Sequence, residues 1–151
     1  MAYIKPGCYN SDFTKFHHAN IRKDITLTDL DAVQFRIMED GSERIRLIEY
    51  KGTYEARRKM QMVVLGRFKN YMKYLNKSAK KTTFELLIIT ADFREQSNKD
   101  YILKNNYAEV FNFLTNSTKI IDENNLISFL NFNKEFQELE EKSGQEIYGI
   151  N

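Results

Sequence analysis

Two short runs hold the residues best able to do chemistry. Asp29-Leu30-Asp31 sets two carboxylates just ahead of an apolar stretch, and Glu49-Tyr50-Lys51 sets a carboxylate and an ammonium two positions apart at the end of another. Residues two apart on a strand share a face, so Glu49 and Lys51 point the same way. A hairpin joining the two stretches would bring Asp31 beside them, giving two carboxylates and one ammonium at one end of a sheet. Two hard oxygen anions suit Mg²⁺ or Mn²⁺, which keep several waters and take phosphate oxygens in the remaining positions. Such an ion polarises a phosphodiester and acidifies its own water, while a lysine stabilises charge or orients the nucleophile. The same acid-to-lysine spacing recurs at Glu140-Glu141-Lys142, but there it sits in a polar helical segment without an acid-bearing hairpin partner and reads as a solvated face.

The elements that must position these residues follow from the pattern around them. Residues 31–38 (DAVQFRIM) and 44–51 (RIRLIEYK) are rich in β-branched and apolar side chains and flank a turn containing Asp40-Gly41, which favours positive φ angles; this predicts a hairpin. In its second strand Ile45, Leu47, Glu49 and Lys51 lie on one face and Arg46, Ile48 and Tyr50 on the other. Gly52-Thr53 breaks the strand. From about Tyr54 to Asn76, Met60, Val63, Val64, Phe68, Tyr71, Met72 and Leu75 recur at three- and four-residue intervals, which predicts a long amphipathic helix. Residues 83–90 (TFELLIIT) form an apolar run of strand length, expected as a buried central strand. The order strand, strand, helix, strand predicts an α/β sandwich with a mixed sheet flanked by helices.

The other segments are read more coarsely. Ser11 or Asp12 is placed to cap a short helix through Phe13, Phe16 and Ala19. Residues 93–100 (FREQSNKD) read as loop, and residues 101–114 are compatible with an irregular strand pair or a helix. Asp122-Glu123-Asn124 introduces a helix expected to run through Leu126, Ile127, Phe129, Leu130, Phe136 and Leu139 across the sheet, and the polar tail beyond Lys142 is expected to fray. One proline, six glycines, no repeat and no linker predict one domain over 1–151, with a core at 11–91, an extension at 92–142 and a tail at 143–151.

Charge distribution adds a partner. Residues 1–81 carry 17 Lys/Arg against 9 Asp/Glu and residues 82–151 carry 6 against 12, so the net +2 is a basic half, +8, joined to an acidic one, −6. Between 51 and 81 there are ten cations and one acid, Glu55, a surface suited to a polyanion or, more blandly, to solvation. The absence of a spanning apolar run or a secretory signal predicts a soluble, cytoplasmic chain with no membrane contact. The single cysteine, Cys8, excludes an intramolecular disulfide and any multi-cysteine metal site.

Taken together, residues 28–33 (TDLDAV) and 47–51 (LIEYK), followed by a helix and an apolar strand, resemble the PD-(D/E)xK nuclease superfamily over residues 11–91. The resemblance implies the restriction-endonuclease-like α/β sandwich and Mg²⁺- or Mn²⁺-dependent cleavage of DNA leaving a 5′-phosphate. It implies that Asp31 and Glu49 bind metal with the main-chain carbonyl of Tyr50, that Lys51 is the catalytic lysine, and that Asp29 is a second-choice, outer ligand. Asp31 is preferred because it directly precedes the apolar strand residues Ala32-Val33. Several members carry a glutamine on the following helix, where Gln61 stands ten residues beyond Lys51; read from the residues alone, Gln61 is an ordinary helix residue. Arg57, Arg58, Lys59, Arg67, Lys69 and Lys73 would contact DNA, and cutting both strands would call for a homodimer.

Bland readings stand beside these. Glu49 and Lys51 could be a surface ion pair, and Asp29 and Asp31 could serve only to shape the strand start. Adjacent His17 and His18 cannot form a helical metal pair. Phe68, Tyr71 and Tyr74 alternate with Lys69, Lys73 and Lys77, a pattern suited to base stacking, although core packing is the preferred role for Phe68 and Tyr71. Besides a DNA endonuclease, a catalytically silent DNA-binding module and a protein-interaction subunit are compatible with the sequence.

Overall fold

A computed structural model describes residue 20 and residues 31–53, 55, 59–78, 81–96 and 100–143, with main chain alone at 59–61, 96 and 100. The N-terminal arm, the short capped helix, His17, His18 and the tail beyond 143 lie outside the described residues.

The hairpin forms as expected. Strand β1, Ala32–Ile37, pairs antiparallel with β2, Glu43–Lys51, through a turn in which Gly41 takes φ 79°, a conformation glycine adopts without Cβ strain. Helix α1, Lys59–Ser78, then crosses to β3, Thr82–Thr90, which runs parallel to β2. Next come β4, Phe93–Gln96, β5, Asp100–Leu103, β6, Ala108–Asn112, and β7, Ser117–Ile121, followed by helix α2, Glu123–Leu130, and a 3₁₀ turn at Phe136–Glu138. The main sheet is mixed and five-stranded, in the order β1-β2-β3-β6-β7, and β4 and β5 make a separate two-stranded pair. This is an α/β architecture.

Each face of the sheet carries a helix. Leu65 and Met72 of α1 pack on Leu86, Ile88 and Phe113, with Leu47, Phe84 and Phe111 at the margin. On the other face Leu126 and Phe129 of α2, with Phe136 and Leu139, cover Ile48, Leu87, Ile89, Val110 and Ile121. Residues 85–89 of β3 are all buried, as a central strand covered on both faces requires. Asn76 secures α1 to β3: its amide accepts from the Phe84 N–H at 2.7 Å and donates to the Phe84 carbonyl at 3.0 Å. No helix among the described residues is long and apolar enough to cross a membrane.

Three expectations are corrected. Residues 93–96 are a strand rather than loop, because their backbone pairs with β5 despite a polar sequence. The helix begun at Asp122 stops at Leu130: Phe132 takes φ 59°, left-handed backbone that no helix continues, so Phe136 and Leu139 reach the core from the 3₁₀ turn and its C-cap. The buried stripe of α1 is Leu65 and Met72, whereas Val63, Phe68, Tyr71 and Leu75 are exposed. Apolar residues surround this helix, and contact with Leu86 and Ile88 selects which stripe is covered.

Asp122 caps α2, accepting from the main chain and side chain of Asn125 at 2.8 and 2.9 Å. These bonds hold its carboxyl below the ordinary 3.8. A carboxylate depressed in the folded state adds stability above its unfolded pKa and loses it as pH falls through the folded value. Asp122→Ala is therefore expected to cost about 1 kcal/mol near neutral pH, and the gap from wild type in urea midpoint should narrow as the solution is acidified. A gap that stays constant into strong acid would rule out the charged cap.

Candidate functional site

The β1–β2 register ends with Ala32 opposite Ile48, and Asp31 lies just before it, in a bend that precedes the strand. Asp31 is exposed, and its Oδ2 accepts the Tyr50 main-chain N–H at 2.8 Å. Even-numbered residues of β2 turn their main-chain groups toward β1; odd-numbered ones turn them toward β3, as the 3.0 Å bond from the Ala91 N–H to the Lys51 carbonyl illustrates. A strand residue's N–H and C=O point to the same neighbour. The Tyr50 carbonyl is thus directed to the side where Asp31 lies.

Lys51 Nζ is 2.7 Å from Glu49 Oε1, and both residues are only 3 % exposed. Asp31 is open to solvent, while Glu49 and Lys51 are covered. Their β3 neighbours in register are Ile88 and Thr90, so the pair lies on the α1 side of the sheet, the side that buries Leu47 and Ile88. A buried pair of this kind is not the surface ion pair the bland reading offers. Its mutual attraction offsets a large desolvation cost, and removing either partner would leave a charge stranded.

The chain leaves Lys51 through a cinched turn. The Gly52 N–H donates to Glu55 Oε2 at 2.7 Å, the Glu55 N–H returns to the Gly52 carbonyl at 3.0 Å, and the Thr53 N–H donates to Asp92 Oδ1 at 3.0 Å. A Cβ at position 52 would lie 3.3 Å from Asp92 Oδ1, so a larger residue there would require the Asp92 side chain to shift. Bonds from the Thr53 side chain and main chain hold the Asp92 carboxyl below its ordinary value. Glu55 and Asp92 are absent from the sequence-derived site. Glu55 is signalled by its place three residues after a strand-breaking glycine; Asp92, just beyond the end of β3, reaches the loop only through the parallel β2–β3 pairing.

Compared with protein families, with curated proteins and with solved structures, the chain matches none. Site chemistry therefore rests on the geometry itself. Among the described residues no group of three or more His, Cys, Asp or Glu side chains is arranged to hold a metal. Asp31 reaches the main chain of Tyr50, whereas Glu49 is held by Lys51 beneath the surface. One or two carboxylates are what Mg²⁺ commonly takes, with water and substrate phosphate completing its shell.

The remaining sequence-derived residues are more scattered. Asp29, Arg57 and Arg58 lie outside the described residues. Lys59 and Gln61 fall in the first turn of α1, and their side chains are likewise outside the description. Arg67 and Lys73 are exposed on α1, and Lys69 is half-buried.

Proposed function

We propose that the chain is a Mg²⁺- or Mn²⁺-dependent deoxyribonuclease of the PD-(D/E)xK kind, cutting DNA phosphodiester bonds at the end of the β1–β2 hairpin. The observation that carries this reading is the bond from the Tyr50 main-chain N–H to Asp31 Oδ2, which ties the acid ahead of β1 to the run in which Glu49 and Lys51 are in contact. The order hairpin, crossover helix, parallel strand is in keeping with it. So is the run of cations that follows Lys51 in the sequence, which would neutralise phosphates and make binding salt-dependent.

In this reading Asp31, Glu49 and the Tyr50 carbonyl hold the ion, with Asp29 and Gln61 as outer participants. The bound ion supplies Lewis acidity toward the scissile phosphate and a more acidic water. Asp31 is oriented by the Tyr50 N–H, which bonds its Oδ2. Lys51, which is covered and bonded to Glu49, would have to be uncovered by the incoming strand to donate to a phosphate oxygen and compensate the charge that develops there. The turn closed by Glu55 and Asp92 fixes the backbone immediately after Lys51. A single site cuts one strand, so cleavage of both strands would take a twofold pair of chains.

One observation favours a second reading. The Glu49–Lys51 pair is buried and self-neutralising, as suits a catalytically silent DNA-binding module that keeps the pair for its architecture. Incubating the full chain with supercoiled, linear, single-stranded and four-way-junction DNA in Mg²⁺, Mn²⁺ or EDTA separates the two. Cutting with metal and none in EDTA is the expected result. Salt-sensitive binding without cutting in either metal would transfer the conclusion to the silent module, and neither binding nor cutting would reject both.

A further inference from the structure

Helix α1 turns an unusual face outward. Leu65 and Met72 are given to the core, yet Tyr71, Tyr74 and Phe68 are 70, 69 and 48 % exposed. With Val63 and Leu75, also exposed, they fall within an arc of about 140° at 3.6 residues per turn. Arg67 lies inside this arc, exposed Lys77 lies about 40° beyond its edge and exposed Lys73 about 80° beyond it. Between Ala56 and Phe84 the sequence contains no acid, and among the described residues none of these three cations forms an ion pair. Lone exposed apolar residues need no explanation, but a contiguous aromatic stripe interleaved with unneutralised cations does.

The two components select a partner together. Cations alone would suit any polyanion, and rings alone would suit any apolar surface. Aromatic faces flanked by cations match a polymer that offers both phosphates and unstacked bases, because every base has a face to stack while its phosphate seeks Arg or Lys. A duplex keeps its bases stacked inside and would leave the rings unused on the convex surface of a helix. We infer that the outward face of α1 binds single-stranded DNA, with bases stacked on Tyr71 and Tyr74 and phosphates held by Arg67 and Lys77. The choice of DNA rests on the proposed nuclease reading; the choice of a single strand rests on the exposed rings. Tyr71 lies twelve residues beyond Lys59, about 18 Å along the helix axis, so the bound strand would run along α1 rather than across the Asp31 end of the sheet alone.

The test measures anisotropy of a labelled single-stranded oligonucleotide and of the same sequence as duplex, using the full chain in EDTA so that nothing is cut. Tyr71→Ala combined with Tyr74→Ala should weaken single-strand binding about tenfold or more, the range set by loss of base stacking, while duplex binding is unchanged. The double Tyr→Phe variant, which keeps both rings, should bind as wild type, and circular dichroism should show every variant folded. Unchanged single-strand affinity in the folded alanine variant, or an equal loss on both DNA forms, would overturn the stacking face. A wild-type dimer that becomes monomeric in the alanine variant, with DNA binding intact, would reassign the face to contact between copies. Binding in EDTA is independent of catalysis, so ring-dependent binding without metal-dependent cutting would refute the nuclease reading alone. Cutting with ring-independent binding would refute this inference alone.

Discussion

Asp31→Asn is expected to lower metal-dependent DNA cutting by about 10²–10³-fold, the cost of removing one group that stabilises developing charge, while leaving the unfolding midpoint nearly unchanged. The separation of activity from stability follows from exposure. Asp31 lies in solvent at the end of β1, and asparagine keeps an acceptor for the Tyr50 N–H, so the change removes charge with little structural consequence. Glu49 and Lys51 behave differently. Both are buried and within 2.7 Å of each other, so Glu49→Gln or Lys51→Ala should abolish cutting and also destabilise the chain by about 3–5 kcal/mol, because each strands a charge. Isothermal titration with Mn²⁺ adds an independent readout, in which Asp31→Asn should weaken metal binding without unfolding. If that variant cuts as wild type does, Asp31 is not a ligand and the proposed site fails.

Glu85→Ala is expected to destabilise the domain by about 3–5 kcal/mol through a second buried ion pair, remote from any proposed chemistry. Arg46, 1 % exposed, donates from Nε to Glu85 Oε1 at 3.0 Å and from Nη1 to the Phe129 main-chain carbonyl. Its guanidinium lies 3.9 Å from the Phe129 ring centre and 4.1 Å from that of Phe132. Planar stacking between two rings with bonds in the plane is a task for arginine, and lysine would not replace it. The stack also engages Phe132, whose φ of 59° is costly for a bulky residue and terminates α2. One side chain thus joins the center of β2 to β3 and to the end of α2. The double variant Arg46→Leu, Glu85→Leu removes both charges and should recover most of the loss in urea midpoint. A Glu85→Ala cost below about 1 kcal/mol, the level of an exposed pair, would show that the burial of this network contributes little.

Several elements were legible because their signals are local. The Asp40-Gly41 turn, the alternation through residues 44–51 and the apolar run at 83–90 each act within a few residues, and each corresponds to an observed turn or strand. The face shared by Glu49 and Lys51 follows from strand periodicity alone, and the placement of Asp31 beside the Tyr50 main chain from the hairpin. Other features depend on partners distant in sequence. Nothing near Arg46 announces Glu85, thirty-nine positions away; the parallel register sets Arg46 opposite Glu85. Residues 93–96 look like loop by composition and become a strand only when β5 pairs with them.

The same division runs through α1 and the candidate site. Spacing of apolar residues established a helix, but Leu65 and Met72 on one side and Phe68, Tyr71 and Leu75 on the other were both available as its buried stripe. Packing against Leu86 and Ile88 resolved the choice and left the aromatics in solvent. Identity and spacing made Asp31, Glu49 and Lys51 candidates, whereas the burial of the last two emerged from the fold around them. Short-range periodicity and turn chemistry act through bonds a few residues apart and so can be read along the chain. Burial is a property of everything packed around a residue, and it exists only once the distant elements have met.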